Sequence, residues 1–396
     1  MSAALSVPPS FFWLRLAILI GAGVAVALQI GKVPAALPFV KEDLSLSLVQ
    51  TGWVVSIFAL VAAGFAAFIG ALADRIGHLR AALCGMLVTA TAALLGSEAQ
   101  DGTMLLTLRV VEGFGYLLTS TSIPTLILRF APENRRAQSL ALWGLFVPIG
   151  SFAMMIISGP LLEFWDWRVL WVVTALMIGA ACLPVWAVGR HVPPAKGPAA
   201  PAPQRILRAS LRPAPLLGAA TFAVYASNYF IVTGFLPLTL VGDNGASPLL
   251  AASLGAVVIA SNALGILAGG WLLGRDVRPS TLITVGGCVM ALCGAVVFAT
   301  GLPVPVRVTA AFVMICFGGL VPSSLFAAIP RLAGNPSAVS TMSGLLAQGS
   351  GIGQLSGPPL AAAPVAATGV WWSATPVIMV LALFTAGLGL VLRRYT

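Results

Sequence analysis

Hydrophobic positions in this chain come in long runs of about twenty residues, broken by short polar or glycine-rich stretches. Runs of that length predict helices that cross a bilayer. The ten-residue alternating segments that would build a membrane barrel do not occur. In the first half the runs fall at about 12–38, 49–72, 81–95, 103–128, 137–161 and 169–188, and a chain of 396 residues accommodates about twelve of them. Ala25-Val26-Ala27 is similar to a signal-peptidase site, but the apolar run continues past it, so the first run is expected to remain as a helix.

Between residues 189 and 212 the pattern changes to proline, alanine and basic residues, with Pro193, Pro194, Pro198, Pro201 and Pro203. Such a stretch predicts a linker, dividing the chain into six-helix bundles at 1–188 and 213–396. The second bundle echoes the first about 200 residues later: Leu37-Pro38 returns as Leu236-Pro237, Phe114-Gly115 as Phe317-Gly318, Arg129 as Arg331, and Ser158-Gly159-Pro160 as Ser356-Gly357-Pro358. The common order and spacing imply a duplicated unit with parallel topology. The expected fold class is therefore an all-α membrane protein with twelve transmembrane helices in two pseudo-symmetric halves.

Composition narrows the function. With 59% hydrophobic and 8% charged residues and a mean hydropathy of +1.01, a soluble domain is excluded. The net charge of +10 would point to nucleic acid in a soluble protein. Here most basic residues, among them Arg15, Arg75, Arg80, Arg129, Arg190, Arg275 and Arg393, fall on one side when the runs are threaded alternately. Excess positive charge marks the cytoplasmic side, so both termini are expected there, in an inner (plasma) membrane, with lipid and not nucleic acid as the surroundings. All five cysteines lie in apolar runs without metal-ligand spacing, and the two histidines, His78 and His191, lie in connecting segments. Neither a cofactor or metal site nor an enzyme is expected.

Charges inside a bilayer are costly, so each is a candidate for function. Three occur: Lys32, Arg109 and Glu112. At 1.5 Å per residue, Lys32 and Arg109 lie roughly 10 Å inside the outer face and Glu112 about one turn deeper. Arg109 and Glu112, three apart on one helix, share a face and can pair. Two readings stay open: a buried ion pair that only holds the helix, with Lys32 snorkelling outward, or a cationic pocket holding one titratable carboxyl. Glu112 is the leading proton carrier in the second. Uncharged polar groups of the other half that could complete a site are Tyr225, Asn228, Tyr229, Asn262, Ser323, Ser324 and Gln348, with Gln29 and Tyr116 in the first half. Gln29 and Asn228 occupy equivalent repeat positions and could face each other across the pseudo-twofold axis. Trp165, Trp167, Trp371 and Trp372 are expected as interfacial anchors.

Gly70-Ala71-Leu72-Ala73-Asp74-Arg75-Ile76-Gly77-His78-Leu79-Arg80 lies between the second and third runs. Its pattern, Gly-x-Leu-x-Asp-Arg-x-Gly-x-x-Arg, resembles the signature loop of the major facilitator superfamily of secondary transporters, with His78 where a fixed cation is usual. The second copy, Gly270-x-Leu272-x-Gly274-Arg275, is a degenerate version. Arg109-x-x-x-Gly113-x-Gly115 resembles a further pattern of the family, whose arginine has been linked to proton coupling in drug antiporters.

The resemblance implies a central cavity lined by the first, fourth, seventh and tenth helices, alternating access by rocking of the halves, and a gate in which Asp74, Arg75 and Arg80 hold the cytoplasmic side shut. A subgroup of drug exporters carries an aspartate where this chain has Gln29. Together with Lys32 this favours an anionic substrate, and the first helix with the turn after it is loosely similar to cyanate and small-anion permeases. The expectation is a monomeric, proton-coupled carrier of a small organic anion, with Lys32, Arg109, Gln29, Tyr116, Tyr225, Asn228, Asn262 and Gln348 contacting substrate. The alternatives are a proton-driven exporter of amphipathic drugs and a non-transporting membrane sensor or scaffold.

Overall fold

The computed structural model describes residues 9–132, 135, 139, 142–192, 212–333 and 339–395. Most of the linker expected at 189–212 lies outside this set, as does the side chain of Asp74. Helices account for nearly all of the described chain, and no strand occurs among the described residues. The first half contains α1 (Pro9–Asp43), α2 (Leu48–Ser56), α3 (Leu60–Ile76), α4 (His78–Gly96), α5 (Gly102–Phe130), α6 (Phe146–Phe164) and α7 (Arg168–Gly189). The second contains α8 (Pro213–Asn244), α9 (Pro248–Leu273), α10 (Pro279–Val297), α11 (Val304–Gly318), α12 (Leu320–Ala333), α13 (Val339–Thr368) and α14 (Thr375–Leu392). A 3-10 turn at Ile57–Ala59 joins α2 to α3 in one crossing, and α11 and α12 form another.

Ten of these crossings are long and apolar enough to span a membrane. The other two are α5, 29 residues with its buried ions, and α13, 30 residues rich in glycine, serine and proline. Both pack closely on neighbours, α5 on α3 and α4 and α13 on α2, α3 and α8, while Val111 of α5 and Ile352 and Leu360 of α13 stay exposed. Among the described residues the crossings number twelve, and Pro9 and Leu392 lie at one face, called here the terminal face.

Polar residues between the runs start the helices. Ser47 and Gln50 form a reciprocal cap on α2, Asp101 Oδ1 accepts from Met104 N–H on α5 (2.9 Å), and Ser247 Oγ accepts from Leu250 N–H on α9 (3.2 Å). The signature stretch is tighter than the sequence pattern suggested: α3 continues to Ile76 and Gly77 alone turns the chain, at φ 88°. Only a residue without a Cβ adopts that backbone without strain.

Each half repeats the same packing. In the first, α1 lies against α6 and α4 against α7; in the second, α8 lies against α13 and α10 against α14. Small residues permit the closest approaches. A Cβ at Gly113 would lie 2.0 Å from the Phe58 carbonyl, and one at Gly353 would lie 1.9 Å from that of Ala223. The halves meet along two seams related by the pseudo-symmetry, α6 with α9 and α13 with α2 and α3. Of the tight contacts on these seams, Gly52 with Pro358, Gly159 with Leu249 and Gly255 with Met155 lie toward the face opposite the termini, and Gly351 with Ala63 lies near mid-span. Large apolar side chains such as Leu183, Leu292 and Val380 project outward into lipid.

Candidate functional site

The helix lengths determine which charges meet. The sequence pattern suggested that the first helix ends near Pro38, but α1 runs through Pro34 and Pro38 to Asp43. Counted from that end, Lys32 lies roughly 16 Å deep, and Glu112, counted from the start of α5, roughly 15 Å. The two residues are thus level. Lys32 Nζ donates to Glu112 Oε1 at 2.9 Å, and Arg109 Nη1 pairs with the other oxygen, Oε2. All three side chains are buried. Lys32 therefore does not snorkel.

Further contacts stabilise the two cations. Arg109 donates from Nε to the Val54 carbonyl and from Nη1 to the Gln29 carbonyl, both at 3.4 Å, and lies 4.6 Å from the Phe58 ring centroid. Lys32 lies 4.2 Å from the centroid of Trp171. Ring faces of this kind attract a desolvated cation. Trp171 fits here because position 96 is glycine: a Cβ there would come within 2.7 Å of the indole. Trp167 stacks edge-on against Trp171 and donates from Nε1 to Asp43 Oδ2 (3.1 Å), while Arg168 bridges Asp43 (2.9 Å) and Asp166 (2.7 Å). This second ion cluster closes the first half above the trio. Trp167 and Trp371 are buried and thus differ from the interfacial anchors expected of them, whereas Trp165 and Trp372 are exposed.

Two cations share one carboxylate, so the trio carries a formal charge of +1 in a place without water access. Around it are polar atoms with no partner among the described residues: both side-chain atoms of Gln29, the hydroxyls of Ser56 and Ser151, and the Trp171 indole N–H. Buried polar groups are rarely left in this condition, and a cluster of them beside an unbalanced charge marks a place for a polar guest. Between the halves, Arg109, Ser151, Val55 and Ile30 face Tyr229, Thr233 and Gln354 across a cavity of about 10 Å³, the space of one water molecule. The site is closed.

The other sequence-predicted residues disperse. Tyr116 packs between Phe58 (ring centroids 4.9 Å) and Phe146 (6.3 Å). Asn262 donates to Tyr225 Oη (2.9 Å) and the Ile315 carbonyl (3.0 Å), tying α9 to α8 and α11. The Asn228 amide fits between the Ile378 carbonyl (3.2 Å) and the Ala382 N–H (3.1 Å) of α14, away from Gln29. Gln348 donates to the Ala63 carbonyl at 3.0 Å, a hydrogen bond between the halves. Ser323 bonds its own helix, and Ser324 Oγ is buried without a partner among the described residues. Arg75 and Arg80 are exposed at the terminal face, and His78 is buried at the start of α4.

Sequence reasoning missed Arg307. It reads as a loop residue on the outer side, but the structure buries it in α11, where its Nε donates to the Val297 carbonyl (3.0 Å) and its Nη2 to Thr239 Oγ1 (3.2 Å). A signal existed: Arg307 follows Arg109 by the same interval that separates Ser356 from Ser158.

A family model described as Major Facilitator Superfamily matches residues 18–358. The multidrug efflux pump LfrA of Mycolicibacterium smegmatis is 28% identical over 192 residues, covering 48% of this chain and 37% of that protein. The methylenomycin A resistance protein of Bacillus subtilis is 29% identical over 42% of this chain and 36% of that protein. The arabinose-proton symporter of Escherichia coli is 29% identical over 39% and 33%. The chain thus spans little more than a third of the length of these relatives. Among solved structures, a bacterial homologue of the human lysosomal transporter Spinster superposes with a TM-score of 0.82 at 18% identity, over 99% of this chain and 98% of that one. The nucleoside transporter NupG gives 0.78 at 15%, over 96% and 99%.

Proposed function

Because its residues 18–358 match the family model, the chain belongs to the major facilitator superfamily of transporters, and from that premise we propose that it carries a small organic anion, with Glu112 as the site of a coupled proton. The observation that supports this most is the Lys32–Glu112–Arg109 trio, with one positive charge in excess and the unpartnered Gln29, Ser56 and Ser151 groups around it. An anion entering beside Arg109 would balance the charge and satisfy those donors. A proton on Glu112 would release Lys32 to the substrate, and its departure would restore the Lys32–Glu112 pair, which links substrate binding to proton binding through one carboxylate. In this reading the halves rock about the two seams to expose the site to either side in turn. In the same reading the protein acts as a monomer in an inner membrane, and the exposed arginines of the terminal face, Arg75, Arg80, Arg190, Arg275 and Arg393, favour the cytoplasm for that face.

A second reading is proton-driven export of amphipathic compounds. The stack of Phe58, Tyr116, Phe146 and Trp143 next to the trio favours it, as do the names of two relatives. Thermal unfolding of the purified protein against a panel of small carboxylates and amphipathic cations separates the two. A ligand at a hundred times its dissociation constant adds roughly 2.7 kcal/mol. Stabilisation by carboxylates that disappears in Lys32→Met is the expected outcome; stabilisation by amphipathic cations alone, equal in Lys32→Met, would transfer the assignment to export.

The gate formed by Asp74, Arg75 and Arg80 belongs to the same proposal. Asp74→Asn is expected to slow substrate counterflow in proteoliposomes at least tenfold while the ligand-induced thermal shift stays unchanged. Counterflow at the parental rate would remove Asp74 from the gate.

A further inference from the structure

At the terminal face, well away from the trio, a groove of about 250 Å³ runs between α10 and α14, lined by Arg278, Ser280, Thr284, Val285, Leu390 and Arg393 among others. We propose that it binds one anionic phospholipid, whose phosphate sits between Arg278 and Arg393 against Ser280 Oγ and whose acyl chain follows Val285 and Leu390.

Four observations converge on this groove. Arg278 and Arg393 come from different helices, line one groove, and have no ion-pair partner among the described residues. No carboxylate lines the groove. Ser280 is 2% exposed, yet its hydroxyl has no hydrogen-bond partner among the described residues. The neighbouring hydroxyl, Thr284 Oγ1, directs its proton to the Ser280 carbonyl (2.9 Å) and lies near that of Ala386 (3.4 Å). Finally, α10 begins here with Arg278 as its cap residue: Pro279 has no N–H, those of Thr281 and Leu282 turn to the Arg278 carbonyl, and no side chain of the cap residue accepts from the helix start. The start of a helix favours an anion.

The groove's position selects the source of the phosphate. Its floor is closed, since a Cβ on Gly389 would lie 2.6 Å from Thr284 Oγ1. Its flank opens on the lipid side of the bundle, where Val285 and Leu390 are 43% and 62% exposed and Leu383 and Phe384 continue the apolar surface along α14. A free phosphate would use only the polar end. A diacyl phosphodiester uses both.

Native mass spectrometry of the purified full chain in detergent, with phosphatidylglycerol or phosphatidylcholine added, tests the proposal. One phosphatidylglycerol should be retained in preference to phosphatidylcholine, and Arg278→Gln/Arg393→Gln should weaken that retention roughly thirtyfold, given the attraction each arginine exerts at a membrane surface. Ser280→Ala should weaken it severalfold. Arg275→Gln, a nearby change at a residue stacked 3.8 Å above Trp271, should leave it unaltered. Equal retention of the two lipids, an undiminished signal in the double variant, or an Arg275→Gln loss as large as the double variant's would overturn the site. Displacement by an equal concentration of glycerol 1-phosphate would overturn the lipid in favour of a soluble phosphate. If the double variant does not stay monodisperse, Ser280→Ala decides, and unchanged retention there rejects the proposal. None of these outcomes depends on which substrate is carried.

Discussion

Arg109 and Arg307 occupy equivalent places in the two halves, and both are buried, but their surroundings differ. Arg109 shares Glu112 with Lys32. At the positions equivalent to Glu112 and Lys32 the second half has Ala310 and Ile231, and Arg307 is held instead by the Val297 carbonyl and the Thr239 hydroxyl. The same contrast recurs at the terminal face, where the first half turns at Gly77 with φ 88° and the second turns at Asp276 with φ 61°, a conformation less favourable for a residue with a Cβ. Duplication has preserved the frame in both copies and the titratable chemistry in one. A carrier whose halves rock against each other needs ions on only one wall. The other can present neutral groups, which cost less to bury.

The contrast is broken most severely by removing the carboxylate. Glu112→Ala leaves Lys32 and Arg109 buried beside each other without an anion and should cost about 3–5 kcal/mol, read as a large fall in melting temperature. A small loss would mean that water reaches the trio. Arg307→Met should cost about 1–3 kcal/mol by leaving the Val297 carbonyl without that donor, yet transport per folded molecule should stay near the parental value. If transport collapses while folding survives, the second half also carries chemistry and the asymmetry proposed here fails. The smallest effect is expected from Gln348→Ala, which deletes one hydrogen bond between the halves, worth about 0.5–1.5 kcal/mol. Its readout is faster labelling of a cysteine placed at Ala63. Unaltered labelling would show that the close glycine contacts hold the seam without it.

Much of this frame is legible from residues alone. Hydrophobic runs mark the crossings because the bilayer imposes their length, and the echo of Ser158-Gly159-Pro160 at Ser356-Gly357-Pro358 marks the duplication. Lys32, Arg109 and Glu112 stand out because ions are rare inside apolar runs. What they do together is less legible. Whether Lys32 reaches Glu112 depends on where α1 ends, and two prolines that resemble a terminus lie inside it. Asn228, Asn262 and Tyr225 could not be sorted into cavity and packing roles, since which face of a buried helix meets a neighbour is decided by tertiary contact and not by period. Arg307 was hidden by its position close to a loop, where a cation is unremarkable.

The least apolar crossing, α5, also has a history within the cell. A segment bearing Arg109 and Glu112 enters hydrocarbon at a cost of several kcal/mol if it goes alone. Its acceptance by the insertion machinery therefore depends on company. The companion already present is α1, made earlier in synthesis and holding Lys32 at the matching depth. The pair that we assign to moving a substrate would thus first serve biogenesis, by giving a reluctant segment a reason to stay in the membrane.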